Sequence, residues 1–152
     1  MRIYSTTSIA SSLAVDLWGV QIEAGSVATA FQTATGTFQG ELAACQRYYV
    51  RFTSSGSYTI YGTGTGNSST NADVSVPLPT SMRITPATLE YASIAASDGS
   101  AGLFTPSSIT LLDCSPLRGN IRLVCTGLTQ FRPYFAMNNN NSAGYIGFSA
   151  EL

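Results

Sequence analysis

The chain contains no lysine and no histidine, and charged side chains make up only 10% of its 152 residues. Each shortage removes a class of chemistry. Without histidine, a Ser-His-Asp or Cys-His pair cannot form within one chain, and a zinc site loses its usual nitrogen ligand. Without lysine, lysine-based nucleophiles are excluded as well. The seven basic residues are all arginine, scattered at 2, 47, 51, 83, 118, 122 and 132, and the net charge is −1. Generic binding to nucleic acid or to an anionic membrane needs a basic patch, which this distribution does not provide. Guanidinium groups placed singly read instead as planar forks suited to ion pairs at subunit interfaces.

Low charge combined with low hydrophobicity would indicate disorder. Here the hydrophobic fraction is 44%, so Ser, Thr, Gly and Asn stand where charge would be. That composition suits strands and turns with a neutral, hydroxyl-rich surface. The length fits one domain, or a domain with a tail, and allows a real core without staples. No apolar run is long enough to span a bilayer. The stretch Met1–Ser12 lacks the continuous apolar segment of a secretory signal. Cys45, Cys114 and Cys125 fit no zinc spacing, and their odd number argues against a complete disulfide framework. They read as three small buried apolar residues, with a Cys114–Cys125 bridge as the alternative.

Residues 1–12 show no period and read as an arm. In AVDLWGVQIE, residues 14–23, both alternating sets contain apolar residues, so a strand there would need cover on both faces. The following residues, through about 38, read as an extended connector. GELAACQRYY, residues 40–49, is the best helix candidate, with Leu42, Cys45 and Tyr49 on one stripe, Glu41 in the first turn and Arg47 near the end. Beyond Tyr49 the pattern is β, with strands expected near 48–53, 57–62, 72–78, 82–94, 108–113, 120–126, 130–137 and 143–150. GTGTGNSSTN at 62–71 reads as a hairpin tip or loop, and NNNNSAG at 138–144 as a second loop. Many short strands between Gly, Pro and Asn turns indicate a sandwich or barrel. The expected fold is therefore all-β: an antiparallel, jelly-roll-like β-sandwich over residues 39–152, with one short N-terminal helix and an extended N-terminal arm over 1–38.

Chemistry is sparse. Carboxylate pairs are the one catalytic option left, but Asp16, Glu23, Glu41, Asp73, Glu90, Asp98, Asp113 and Glu151 form no tight motif. They read as surface charges or arginine partners. GTGTG at 62–66 lacks the lysine and following helix of a phosphate loop. No cofactor or metal is implied, and a non-enzymatic role is expected. Aromatic residues flank both loops: Tyr58 and Tyr61 beside the first, and Tyr134, Phe135 and Tyr145 beside the second. With Asn67, Asn138, Asn139, Asn140 and Asn141, the tyrosines Tyr58, Tyr61 and Tyr145 are candidate glycan contacts. The competing reading places these aromatics in the core or in cross-strand pairs.

Four stretches carry a family resemblance. DLWGVQIEAGSVATAF at 16–31 and GELAACQRYYVRF at 40–52 closely resemble a pattern in bacteriophage tail-fibre and minor structural proteins. VSVPLPTSMRITPATLE at 74–90 and YIGFSAEL at 145–152 are similar to strands of the C-terminal tips of those proteins. The resemblance implies a trimeric β-structure at the distal end of a fibre, in the virion, assembled with other phage proteins and touching a bacterial surface glycan. It puts Trp18 and Gln21 on the closing strand of an upstream sandwich. Glu41, Gln46, Arg47 and Tyr48 would lie in a helix leading into the tip, and Met82 and Arg83 on an inner strand. The chain starts only about a dozen residues before that closing strand. It is therefore expected to be either a fragment of a longer fibre or a reused, free-standing module such as a capsid decoration. In either case exposed Val15, Leu17, Trp18, Val20 and Ile22 would seek a partner. With Arg47 and Tyr48 they are the expected assembly contacts.

Overall fold

The computed structural model describes residues 22, 24–27, 29, 30, 32, 35–100 and 102–151. One helix comes first, α1 (Phe38–Gln46). Ten strands follow: β1 (Tyr49–Thr53), β2 (Ile60–Gly66), β3 (Asn71–Pro77), β4 (Thr88–Ala92), β5 (Ile94–Ser97), β6 (Leu103–Phe104), β7 (Ser108–Leu111), β8 (Arg118–Val124), β9 (Pro133–Asn138) and β10 (Tyr145–Ser149). They form two antiparallel sheets, ordered β1-β10-β4 and β6-β5-β9-β2-β3-β8-β7. The fold is the expected all-β, sandwich-like arrangement with one short helix.

Period-two alternation builds the core. In β3, Ala72, Val74 and Val76 turn inward while Asn71, Asp73 and Ser75 remain partly exposed. Gly119, Ile121 and Leu123 do the same in β8, in register with β3. The small sheet contributes Val50, Ile146 and Phe148 to the same apolar cluster. The sheets meet where the Phe148 ring occupies the space that a Cβ on Gly119 would take. Full burial of Phe148, Ile121 and Leu123 stabilises the fold by roughly 1.5–3 kcal/mol each.

Several expectations are corrected. The 82–94 stretch is not one strand. Its first six residues, Met82 and Arg83 among them, lie outside any strand, although Met82 is buried. Ser93, at φ 52°, then breaks the remainder and passes the chain from β4 in one sheet to β5 in the other. The glycine run at 62–66 is not a loop but most of β2, and the tip is confined to residues 67–70. Glycine is required inside that strand: a Cβ on Gly62 would lie 2.5 Å from the Ser75 carbonyl oxygen, and one on Gly64 would strike the Asp73 carbonyl. The two-residue strand β6 had no sequence signal.

The helix starts earlier than its apolar spacing predicts because Thr37 caps it, its Oγ1 accepting from the Gly40 amide at 3.1 Å. Glu41 braces the entry by accepting from the Thr35 amide at 2.8 Å. The expected stripe does not face the core: no helical residue is buried, Leu42 and Cys45 are exposed, and Tyr49 already belongs to β1. All three thiols are free, so there is no Cys114–Cys125 bridge; Cys125 is buried and Cys45 is not. Val15, Leu17, Trp18 and Val20, and most of the 1–38 arm, lie outside the described residues. Ile22 is described and is 91% exposed.

Candidate functional site

The glycan-contact candidates do not converge. Asn67 sits at the β2–β3 tip and donates to the Asp73 carboxylate at 3.1 Å. Asn138–Asn141 lie at the other end of β2, about 20 Å away at some 3.3 Å per strand residue. Two candidates are structural. Tyr61 is buried, and its hydroxyl donates to the Gly144 carbonyl at 2.9 Å. Asn138 is fully buried, and the two N–H groups of its Nδ2 are shared among three acceptors, Ser54 Oγ at 2.8 Å, Gly56 O at 2.7 Å and Asn141 O at 2.9 Å. Both tie loops together and offer nothing to a ligand. Tyr134, beside them in sequence, is a core residue in edge contact with Phe104, with ring centroids 5.9 Å apart.

Tyr145, with Asn139, Asn140 and Asn141, remains available at one end of the small sheet. Asn140 is exposed at φ 47°, a conformation asparagine tolerates. The Asn141 side chain fixes the turn by donating to Ser93 Oγ and accepting from the Ala143 amide, both at 2.9 Å. Tyr145 follows this turn on the outer face of β10, where register decides its neighbours. Three cross-strand rows form there: Tyr49–Ser149–Thr88, Arg51–Gly147–Glu90 and Thr53–Tyr145–Ala92.

Within these rows the long side chains reach diagonally. The Arg51 guanidinium carbon lies 3.6 Å from the Tyr145 ring centroid. Tyr49 passes over Gly147, within 3.1 Å of where a Cβ would stand, and its hydroxyl donates to Glu90 Oε2 at 3.0 Å. Burial and then the adjacent Glu90 carboxylate raise the Tyr49 hydroxyl above its ordinary value. That hydroxyl therefore stays a donor across the biological pH range. The result is a face of aromatic surface, guanidinium donors and a carboxylate acceptor, with the neutral asparagine turn at its edge. Sequence reasoning missed Tyr49, Arg51 and Glu90. The alternation in YVRFT and YIGFS marks which residues share a face, but only the pairing of β1, β10 and β4 brings them together.

On the large sheet, Tyr58 stands in left-handed backbone at φ 64° and walls a depression of 310 Å³ with Ser97, Gly99, Ser100, Leu103 and Met137. Its polar rim is already committed: Ser97 Oγ donates to Gly102 O at 3.2 Å, and Ser100 Oγ to Asp98 Oδ1 at 2.6 Å. Exposed Ile60, in register with Met137, adds apolar surface beside it. Of the expected assembly contacts, Arg47 is exposed, and Tyr48 is exposed next to Arg83, whose guanidinium lies 5.2 Å from its ring centroid. Among the described residues no cluster of His, Cys, Asp or Glu could hold a metal, and no helix is long and apolar enough to cross a membrane. No family model, curated protein or solved structure matches the chain.

Proposed function

We propose that this chain is a non-enzymatic structural module of a tailed-phage virion, a trimeric fibre tip that contributes to attachment to a host-surface glycan. The observation that carries the attachment half is the outer face of the small sheet. Sugars bind through apolar ring faces and paired donors and acceptors. Tyr49, Arg51, Glu90 and Tyr145 supply those groups, already held in place by one another. The near-zero net charge favours a neutral glycan over a polyanion. The virion half rests on the sequence resemblance.

A glycan array probed with the full chain, backed by adsorption to bacterial cells, tests the attachment reading. Binding to a defined glycan is expected, lost on Arg51→Ala. A blank array and no adsorption would overturn it.

A second reading, a capsid decoration or other appendage subunit held by its N-terminal arm, is favoured by one observation. Phe38, at 77% exposure, Leu42 and Tyr48 leave an apolar surface on and after α1, close in sequence to the arm. Particles assembled without the protein would then be less stable, while adsorption would be unchanged.

A further inference from the structure

Phe131 is 82% exposed and stands at φ 64°. A bulky side chain in left-handed backbone is an outlier, and an exposed aromatic ring gains nothing from the fold around it. The loop nevertheless holds it firmly. The Phe131 amide donates to Gly66 O at 2.8 Å, the Gly66 amide to Arg132 O at 2.8 Å, and Gln130 Nε2 to Asn67 O at 3.0 Å. Beneath it, Leu128 is buried and the Thr129 amide donates to Tyr134 Oη at 2.8 Å. Strain that its surroundings enforce, at a position useless to the isolated fold, points to a role outside the fold.

The same chain carries the matching cavity. The 310 Å³ depression on the large sheet has Met137 and Leu103 as apolar lining, Tyr58 as an aromatic wall and exposed Ile60 alongside. Its serine hydroxyls are spent on internal bonds, so an uncharged apolar group suits it better than a polyhydroxylated one. Asp98, the nearest acid, is neutralised by Arg132 at 3.1 Å. Phe131 does not fill this depression in its own chain, since its ring is largely in solvent.

We infer that Phe131 of one chain seats in the Tyr58–Leu103–Met137 depression of a second copy. Knob and hole are different patches of one surface, so copies joined head-to-tail leave a free knob and a free hole at the ends, and a rotation that closes after three copies gives a trimer. The inference rests on the trimeric reading and names its interface. Phe131 acts as the anchor; the rest of the buried area surrounds it.

The experiment uses the full chain in a Cys45→Ser, Cys114→Ser background. Chains carrying Phe131→Cys and chains carrying Leu103→Cys are co-expressed and oxidised. A covalent dimer containing one chain of each kind is expected, with none from either variant alone. Light scattering on Phe131→Gly, a variant whose backbone suits a positive φ and so keeps the fold, should show the wild-type oligomer reduced to monomer. An intact trimer with no 131–103 cross-link, or a Phe131→Gly protein of unchanged mass, overturns this interface while leaving the trimer. A monomeric wild type overturns both. Unchanged mass with loss of glycan binding in Phe131→Gly would assign the ring to a ligand and likewise overturn the inference.

Discussion

The Arg51 guanidinium carbon lies over the Tyr145 ring, 3.6 Å from its centroid, reaching to the adjacent strand two residues along from Gly147, its paired residue. The contact immobilises a cation on an open sheet face without neutralising it. Arg51 makes no ion pair with Glu90 across Gly147, although the three share a row. A donor and an acceptor thus flank the least bulky residue of the face, each held by an aromatic partner.

Substitutions on this face should separate binding from folding. An exposed cation–π pair contributes only about 0.5–1 kcal/mol, so Arg51→Ala and Tyr145→Ala should lower the thermal midpoint by a few degrees at most. Glycan affinity should fall at least about tenfold for Arg51→Ala and Glu90→Ala, which corresponds to about 1.4 kcal/mol of lost interaction. Calorimetry and glycan titration on the same samples check both halves. Equal affinity in wild type and variants would remove this face from the attachment reading.

The fold class was legible because strand alternation survives nearly everywhere: NADVSVP and RGNIRLV announce their buried faces directly. What was hidden depends on pairing. Nothing in GTGTG says that its glycines press against the β3 backbone, and the residues that say so are about ten positions away. The run NNNN looks uniform, yet the first asparagine is fully buried and the third is exposed in left-handed backbone. The helix stripe misled because apolar spacing shows that a face needs cover, not that this chain covers it.

Asp73 and Arg122 form a two-pronged pair in register on β3 and β8, at 2.7 and 2.8 Å. The Arg122 hydrogen bonds, with help from Asn67, hold the Asp73 carboxyl below its usual range. A depressed folded-state value means the stabilisation is fully present above the unfolded carboxyl value, near about 3.9. It is lost as pH falls through the folded value. Asp73→Asn should therefore be less stable than wild type at pH 7, and the gap should close at the acid end. Thermal midpoints from pH 7 down to pH 2 read this directly; a gap that is constant with pH would assign the effect to packing instead.

The thiols should separate by reactivity. Burial pushes the Cys125 thiol up to about 11, which leaves about one part in a thousand as thiolate at pH 8. Cys45 is exposed on the helix. Iodoacetamide on the native protein should label Cys45 within minutes and leave Cys125 unmodified until denaturant is added. Peptide mass mapping checks the order. Early labelling of Cys125 would mean that the β6 edge, where its sulfur faces the Phe104 carbonyl at 3.8 Å, opens easily.

Asn138 closes the end of the sandwich beside the proposed glycan face. Its side-chain amide reaches acceptors from the β1–β2 loop, Ser54 Oγ and Gly56 O, and from its own turn, Asn141 O. Its backbone amide donates to Thr59 O at 3.0 Å. Removing the side chain takes one donor from each of two carbonyls that keep others, Gly56 O from the Ser54 and Thr59 hydroxyls and Asn141 O from the Gly144 amide, so the loss is that of the hydrogen bonds themselves, about 0.5–1.5 kcal/mol each. Asn138→Ala should be destabilised by that amount per bond lost, read by denaturant unfolding. Asn138→Asp should be worse, because a carboxylate would meet carbonyl oxygens where donors are required. The turn that carries Asn140 and Asn141 would loosen, so hydrogen exchange at Ala143 and Gly144, whose amides bond Asn141, should accelerate in Asn138→Ala more than exchange in β3 and β8. Uniform acceleration would mean that the asparagine supports global stability rather than the geometry of this end. In the local case glycan affinity should drop with the turn, although Asn138 itself is sealed from solvent.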